Sequence, residues 1–417
     1  MGKGGDKVAT NAEKKEVLID GRFYDVSNMK HPGGGVINYY AGKEIDASQA
    51  FNNFHIRSKK AKKILEHLPS RAADEKKIAK NALPGQLDLL KDFDELTRSL
   101  EKEGFFDPAP LHVAYRCLEI LVMYVVGFYF MRNEQIILGL ILTALAQGRC
   151  GWLMHEGGHY SLTGNIFVDR TIQVLYYGVG CGMSGSWWRN QHNKHHSMPQ
   201  KLGHDVDLNT LPLVAFTEKV AKRVGLPLKW WIRLQAFLFP TVTTSLVALG
   251  WQYYLHIRHI LRVKNWGELA AIVMRHVIWT AVVTTHFGLA KSIGLFLVYN
   301  WMAANYIFIN FAVSHTHLDV VPKEDTQVDW VRYAAIYTMN VSPGPFKFVS
   351  WWMSYLNFQV EHHLYPSMPQ FRHPIISPRI KALFEKHGLV YDQRDYITAM
   401  NVTFNNLHRV GNDVFMG

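Results

Sequence analysis

The chain has 417 residues, of which 48% are hydrophobic, and a formal net charge of +11. Its basic residues are scattered beside apolar segments and form no nucleic-acid motif, which excludes a nucleic-acid binder. Its three cysteines, Cys117, Cys150 and Cys181, sit in apolar segments without a CxxC pair, which excludes a disulfide framework and a cysteine zinc site.

The length predicts two or three domains. No cleavable signal peptide is expected, because the first apolar run comes too late. MGKGGD begins like a myristoylation site, but Asp6 stands where Ser or Thr is required. Residues 10–84 read as a first unit. It carries HPGGG at residues 31–35, and its glycines let the backbone turn sharply and approach a flat ligand. His55 follows His31 in the segment AFNNFH. The run RSKKAKK at residues 57–63 is either a solvated basic face or a contact for anionic lipid or an acidic patch of the same chain. Pro84-Gly85 breaks the chain. In residues 85–110, Leu90, Phe93, Leu96 and Leu100 form an apolar stripe that predicts a helix packed on the body.

Residues 111–417 read as a membrane domain. Stretches 113–131 and 136–154 are each about 28 Å long at ~1.5 Å per residue, roughly one hydrocarbon core. The short link between them makes a hairpin. Stretch 166–188 is too interrupted to span and is expected on the surface. Stretches 236–255, 267–285 and 292–313 follow, and an even number of these must cross if QVEHH at residues 359–363 is to rejoin the earlier histidines. Stretch 236–255 has Lys222, Arg223, Lys229 and Arg233 before it and Arg258, Arg262 and Lys264 after it, with Pro240 near its start. Basic flanks at both ends predict a re-entrant dip. Arg275 lies inside the next stretch and must face protein or water. Four crossings result, with both termini on one side. Ser377-Pro378 opens a late helix that Gly388 closes.

Three histidine clusters carry the chemistry: HEGGH, HNKHH and QVEHH. Residues three and four apart share a helix face. His155 therefore faces with His159, His192 with His195 and His196, and Gln359 with His362 and His363. Eight side chains, seven of them imidazoles, are too many for one metal and suit two. Two metals held by nitrogen at a membrane surface point to oxygen activation on a lipid chain. Glu156, Asp205, Asp207 and Glu361 stand beside these residues as candidates to orient imidazole N–H groups. Gly157-Gly158 predicts close packing, with the acyl chain as one partner. Trp187 and Trp188 are candidate walls of a substrate tunnel or interfacial aromatics.

The three clusters resemble the histidine boxes of the membrane fatty acid desaturases, and Gln359 in QVEHH resembles the front-end members. The resemblance covers nearly the whole chain. Residues around YDVS, HPGGG and His55 resemble a cytochrome b5 domain, except that RSKKAKK is basic where free forms are acidic. The implied fold is an N-terminal α+β cytochrome b5-like domain, residues 10–84, joined by residues 85–110 to an all-α polytopic domain, residues 111–417. That domain would have four transmembrane helices and a cytosolic histidine-box cap. The resemblance implies haem b held by His31 and His55, with no open position for oxygen. It also implies two irons held by His155, His159, His192, His195, His196, His362 and His363. His315 is expected as a further ligand, ahead of His317, and Gln359 is expected to act through its carbonyl oxygen or a water. O2 would be co-substrate, and electrons would come from NADH through a separate cytochrome b5 reductase. The expected setting is the endoplasmic reticulum membrane, with both termini and the active site cytosolic. The substrate would be a membrane lipid or an acyl-CoA, and a homo-oligomer is compatible with the sequence. The flanks AQGRCGW, YYGVGCGMSG and HDVDLNTLPLVAF resemble algal and thraustochytrid Δ5 desaturases of C20 chains, with Δ6 enzymes on C18 chains close behind. A sphingoid-base Δ8 desaturase or a lipid hydroxylase shares the architecture. A membrane-anchored haem electron carrier would leave the boxes unexplained.

Overall fold

The computed structural model describes residues 14–43, 45–74, 76, 82–208, 210–325 and 329–416. The myristoylation-like start therefore lies outside the described residues. The N-terminal unit has a small antiparallel sheet, β1 (Glu16–Ile19), β2 (Arg22–Asp25) and β3 (Ser70–Ala72), with β2 in the middle. Helices α1 (Ser48–His55) and α2 (Lys59–His67) complete it.

This unit is not a bead on a string. Val17, Ile19, Tyr40, Ile45 and Ala50 belong to one continuous apolar core with Met198, Leu364, Tyr365 and Ile380 of the main body. Burying apolar surface between the two parts fixes their relation beyond the chain connection itself. Arg57, the first residue of the basic run, adds hydrogen bonds from Nη1 to the carbonyls of Tyr160, Ser161 and Ser367. The connecting helix α3 (Gln86–Lys102) buries Leu89, Phe93 and Leu100 and half-buries Leu90 and Leu96. Phe93 stacks on Tyr365 at 5.3 Å, so the predicted stripe does pack on the body.

Among the described residues, four helices are long and apolar enough to cross a membrane: α4 (Pro110–Arg132), α5 (Ile136–Gly158), α8 (Trp266–Phe287) and α9 (Leu289–Ala312). Only 22% of the α4 window is buried, against 67% for α5. Helix α4 turns Leu118, Leu121, Val122 and Val125 outward, a face that suits lipid and not water. The cap includes α12 (His373–Lys386), which begins four residues before the predicted start and carries Pro378 inside it.

Two stretches between the spans differ from expectation. The segment before the second box is not a surface strip. After helix α6 (Ile166–Gln173), residues Val174–Cys181 continue as a π-helix that inserts between α4, α5 and α8. The Gly180 carbonyl accepts from Tyr124 Oη at 3.0 Å and from Arg275 Nη1. A Cβ at Gly180 would lie 2.4 Å from Cys150 Sγ, so only glycine permits this approach. Arg275 also donates to Gln147 Oε1 and Asn300 Oδ1. The costly charge thus faces protein, as expected. The other stretch, residues 235–263, is a continuous helical run with π turns, not a hairpin. It crosses α9, where Trp301 Nε1 donates to the Pro240 and Thr241 carbonyls and Gln252 Nε2 to Asn300. Gln235 at its start accepts from the Ala215 N–H, and His256, seven residues before its end, accepts from the Ser184 N–H just before α7.

Candidate metal centre

Helix α5 ends in the first box, helix α7 (Gly185–Ser197) carries the second, and the short helix α11 (Gln359–Leu364) carries the third. Their imidazoles sort into two adjoining groups. One contains His155, His159, His192, His196 and His362, and the other contains His195, His315 and His363. Adjacent residues on a helix point about 100° apart, so the HH pairs of boxes two and three each divide between the groups.

The spacing fits metal ions. His155 Nε2 lies 3.0 Å from His192 Nε2, His192 Nε2 lies 3.1 Å from His196 Nε2, and His196 Nε2 lies 3.0 Å from His362 Nε2. Ligands at right angles around one metal with bonds of ~2.1 Å stand about 3.0 Å apart. His159, His196, His362 and His363 each keep one buried ring nitrogen without a hydrogen-bond partner. Burial and the neighbouring rings hold His159 and His315 at a pKa of about 3, as neutral imidazoles, the form that binds metal. Burial also acts on His195, but the carboxylates of Asp205 and Asp207 outweigh it and leave that ring at about 9.

Outer contacts set the ring orientations. His195 Nδ1 donates to Asp205 at 2.9 Å, and His315 Nδ1 donates to the Tyr337 carbonyl at 3.1 Å. His155 Nδ1 lies 2.9 Å from the Gln370 side-chain amide, whose oxygen has no other partner. Turning that amide over lets its oxygen accept the ring N–H and frees Nε2 for a metal. Gln359 lines the cavity next to the second group, with its carbonyl oxygen unpaired. His317 lies outside both groups.

Some expected roles change. Glu156 forms a buried ion pair with Arg116 at 3.0 Å and Glu361 bonds Asn340 and Tyr391, so neither carboxylate orients an imidazole. Breaking such a buried pair costs about 3–5 kcal/mol. Gly157 and Gly158 pack on Asp169, Gln173 and Trp188, not on the cavity. Gln370 carries no motif signal in the sequence, and only its place after the third box hinted at it.

A cavity of about 780 Å³ reaches from these histidines into the membrane part. Trp187, Trp188, Met154, Phe308 and Tyr254 are among its walls. Trp188 stacks on His192 at 4.2 Å. The described residues lining the cavity include no lysine or arginine.

In the N-terminal unit, the His31 and His55 ring centroids are 6.2 Å apart. Two imidazoles on opposite faces of one iron, with bonds of ~2.0 Å, bring their centroids to roughly that distance. His55 Nδ1 donates to the Phe51 carbonyl at 2.9 Å, which leaves Nε2 for the iron. The glycine loop after His31 lies directly on α7. Gly34 has φ +80°, and a Cβ there would stand 2.7 Å from Asn190 Oδ1.

Residues 135–395 match the family described as fatty acid desaturase, and residues 7–73 match the cytochrome b5-like heme/steroid binding domain. An acyl-lipid (8-3)-desaturase from Rebecca salina is 54% identical over 401 residues, covering 95% of this chain and 92% of the relative. An acyl-lipid (8-3)-desaturase from Thraustochytrium sp is 44% identical, covering 97% and 94%. Human fatty acid desaturase 3 is 28% identical, covering 95% and 90%. With two family matches side by side and relatives aligned almost end to end, the chain belongs to the front-end fatty acid desaturases that carry a fused cytochrome b5 domain.

Proposed function

We propose that the chain is a Δ5 desaturase of C20 polyunsaturated acyl chains carried on a membrane lipid. The observation that carries this reading is the cavity, which joins both histidine groups to an apolar interior and has no lysine or arginine among its described lining residues. The phosphates of an acyl-CoA would find no lysine or arginine there, whereas a lipid already in the bilayer needs none. The names of the relatives at 54% and 44% identity support the same carrier and position.

In this reading, His155, His159, His192, His196 and His362 hold one iron. His195, His315 and His363 hold the other, with Gln359 acting through its carbonyl oxygen or a water. His31 and His55 hold haem b. The C–H bonds of a saturated CH2–CH2 unit are inert to acid–base catalysis, and two bound irons supply the oxidising chemistry that breaks them. Two C–H bonds break and a cis C=C forms. O2 leaves as two waters, with two electrons from the substrate and two from NADH through a cytochrome b5 reductase. The chain's own residues position and exclude. Asp205, Tyr337 and Gln370 fix the rings, and Trp188 closes the wall beside His155 and His192. The bond attacked is set by how far the chain enters before it meets the histidines. The expected setting is the endoplasmic reticulum membrane, with the boxes and both termini cytosolic.

Expression in yeast fed 20:3n-6, with gas chromatography and mass spectrometry of the lipids, tests this. A Δ5 product that His195→Ala abolishes is expected. A Δ6 product from 18:2 instead would keep the desaturase and overturn the substrate. Desaturation confined to the acyl-CoA pool would overturn the lipid carrier.

A further inference from the structure

The segment between the cap and the third box takes a path that the span pattern does not explain. The chain leaves the cap at β4 (Asn340–Val341), which pairs with β5 (Gln393–Arg394). It turns at Gly344, forms the short helix α10 (Phe348–Trp352) and then climbs to Gln359. Its hydrogen bonds fix its depth. Trp351 Nε1 donates to Glu119 at 2.8 Å, and the Trp351 carbonyl accepts from Arg149 at 2.8 Å. The Trp352 carbonyl accepts from Tyr306 Oη at 2.6 Å. Ser354 Oγ accepts from Arg116.

All these partners lie on membrane-spanning helices. Glu119 and Arg149 are each 13 residues from the far end of their helix, and Tyr306 is 17 residues from the start of α9. At ~1.5 Å per residue that places them about 20, 20 and 25 Å into a hydrocarbon layer of ~30 Å. Arg116, 16 residues from the far end of α4, lies at about 24 Å, above Glu119 and Arg149 and level with Tyr306. Just before these anchored residues the turn carries Phe346, which is fully exposed, and Phe348, which is 55% exposed. Phe346 and Lys347 both have positive φ, 51° and 59°, a conformation that bulky residues seldom adopt. The turn thus holds a large apolar ring away from the protein, five residues before Trp351, which is bonded to the spans. Lys347 beside it has a stem long enough to carry its ammonium back to the headgroups.

We propose that residues 343–352 form a re-entrant wedge that enters the box-side leaflet, with Phe346 and Phe348 among the lipid acyl chains. The partner is the bilayer hydrocarbon itself. The wedge covers the Glu119–Arg149 pair from lipid and ties the leaflet to the third box seven residues later. This rests on the four spans and is independent of the double-bond position.

The test uses the full chain in phosphatidylcholine vesicles, with p-benzoylphenylalanine at position 346, which keeps an aromatic ring there. Ultraviolet light should attach phosphatidylcholine acyl chains to position 346 and none to position 381 on the cap, as read by mass spectrometry of the protein. No lipid adduct at 346, or equal yields at both sites, would overturn the wedge. A nitroxide on Phe346→Cys gives a second reading. Oxygen should relax it more than a water-soluble nickel chelate does, and the reverse order would place the turn in water and overturn the proposal.

Discussion

The ring of Phe54 lies 6.2 Å from the ring of His196, centroid to centroid, and is the residue immediately before His55. Phe54 also packs edge-on against Trp330 at 5.6 Å. One side chain thus bridges the haem unit and the larger histidine group. The bridge is rigid, because Ser367 Oγ donates to the Asn53 carbonyl and Tyr40 Oη donates to the Ser197 carbonyl across the same seam.

Phe54→Leu leaves a gap at that seam while every histidine of the boxes and of the N-terminal unit is kept. Haem content and its reduction by NADH and reductase should be unchanged. Reoxidation of the haem in the presence of O2 and acyl substrate should slow several-fold, as followed by stopped-flow absorbance, and Phe54→Tyr should restore it. Unaltered reoxidation in the leucine variant would show that electrons do not cross there.

The unequal groups, five imidazoles against three, predict unequal losses. His315→Ala removes one of the three imidazoles of its group and should leave about one iron per chain. His159→Ala leaves four imidazoles in its group, a number that still holds a metal, and should keep more. His317→Ala should be silent. Iron analysis of the purified variants checks this, and a His315→Ala protein with both irons and full product would remove His315 from the site.

Much of this site was legible in the sequence because helical periodicity determines which box residues share a face. The division of the HH pairs between two groups follows from the same geometry. What could not be read is long-range. Gln370 reaches His155 only because α11 and α12 fold together, and Phe54 reaches His196 only through the shared core. The deep insertion of residues 174–181 was hidden because Gly178 and Gly180 look like interruptions. In the fold they allow close packing, and Arg275 and Tyr124 satisfy the backbone they bring inside.

Gln370→Leu removes the hydrogen-bond partner that His155 Nδ1 has among the described residues. Outer partners of this kind typically carry 10–100-fold in metal affinity. Iron should therefore dissociate faster during dialysis against a chelator, while haem and thermal unfolding change little. Gln370→Glu, which also presents an oxygen acceptor, should restore retention. Equal iron loss in the leucine variant and the parent would leave Gln370 as packing alone.

The inserted π-helix gives a stability prediction with its own internal control. A Cβ at Gly180 would meet Cys150 Sγ at 2.4 Å and Cys150 Cβ at 2.9 Å. Both atoms sit on α5, five residues before His155, so neither can move without tilting the helix that carries the first box. Overpacking of this kind costs about 1–3 kcal/mol. Gly180→Ala should lower the melting temperature in detergent and the yield of iron-loaded protein together. Cys150→Ala alone should cost less, because it removes one buried sulfur. Combined with Gly180→Ala it should recover part of the loss, since the closest contact disappears while the Cβ contact remains. Residues in contact show such coupling and distant ones do not. Strictly additive losses in the double variant would mean that Gly180 does not press on Cys150 of α5.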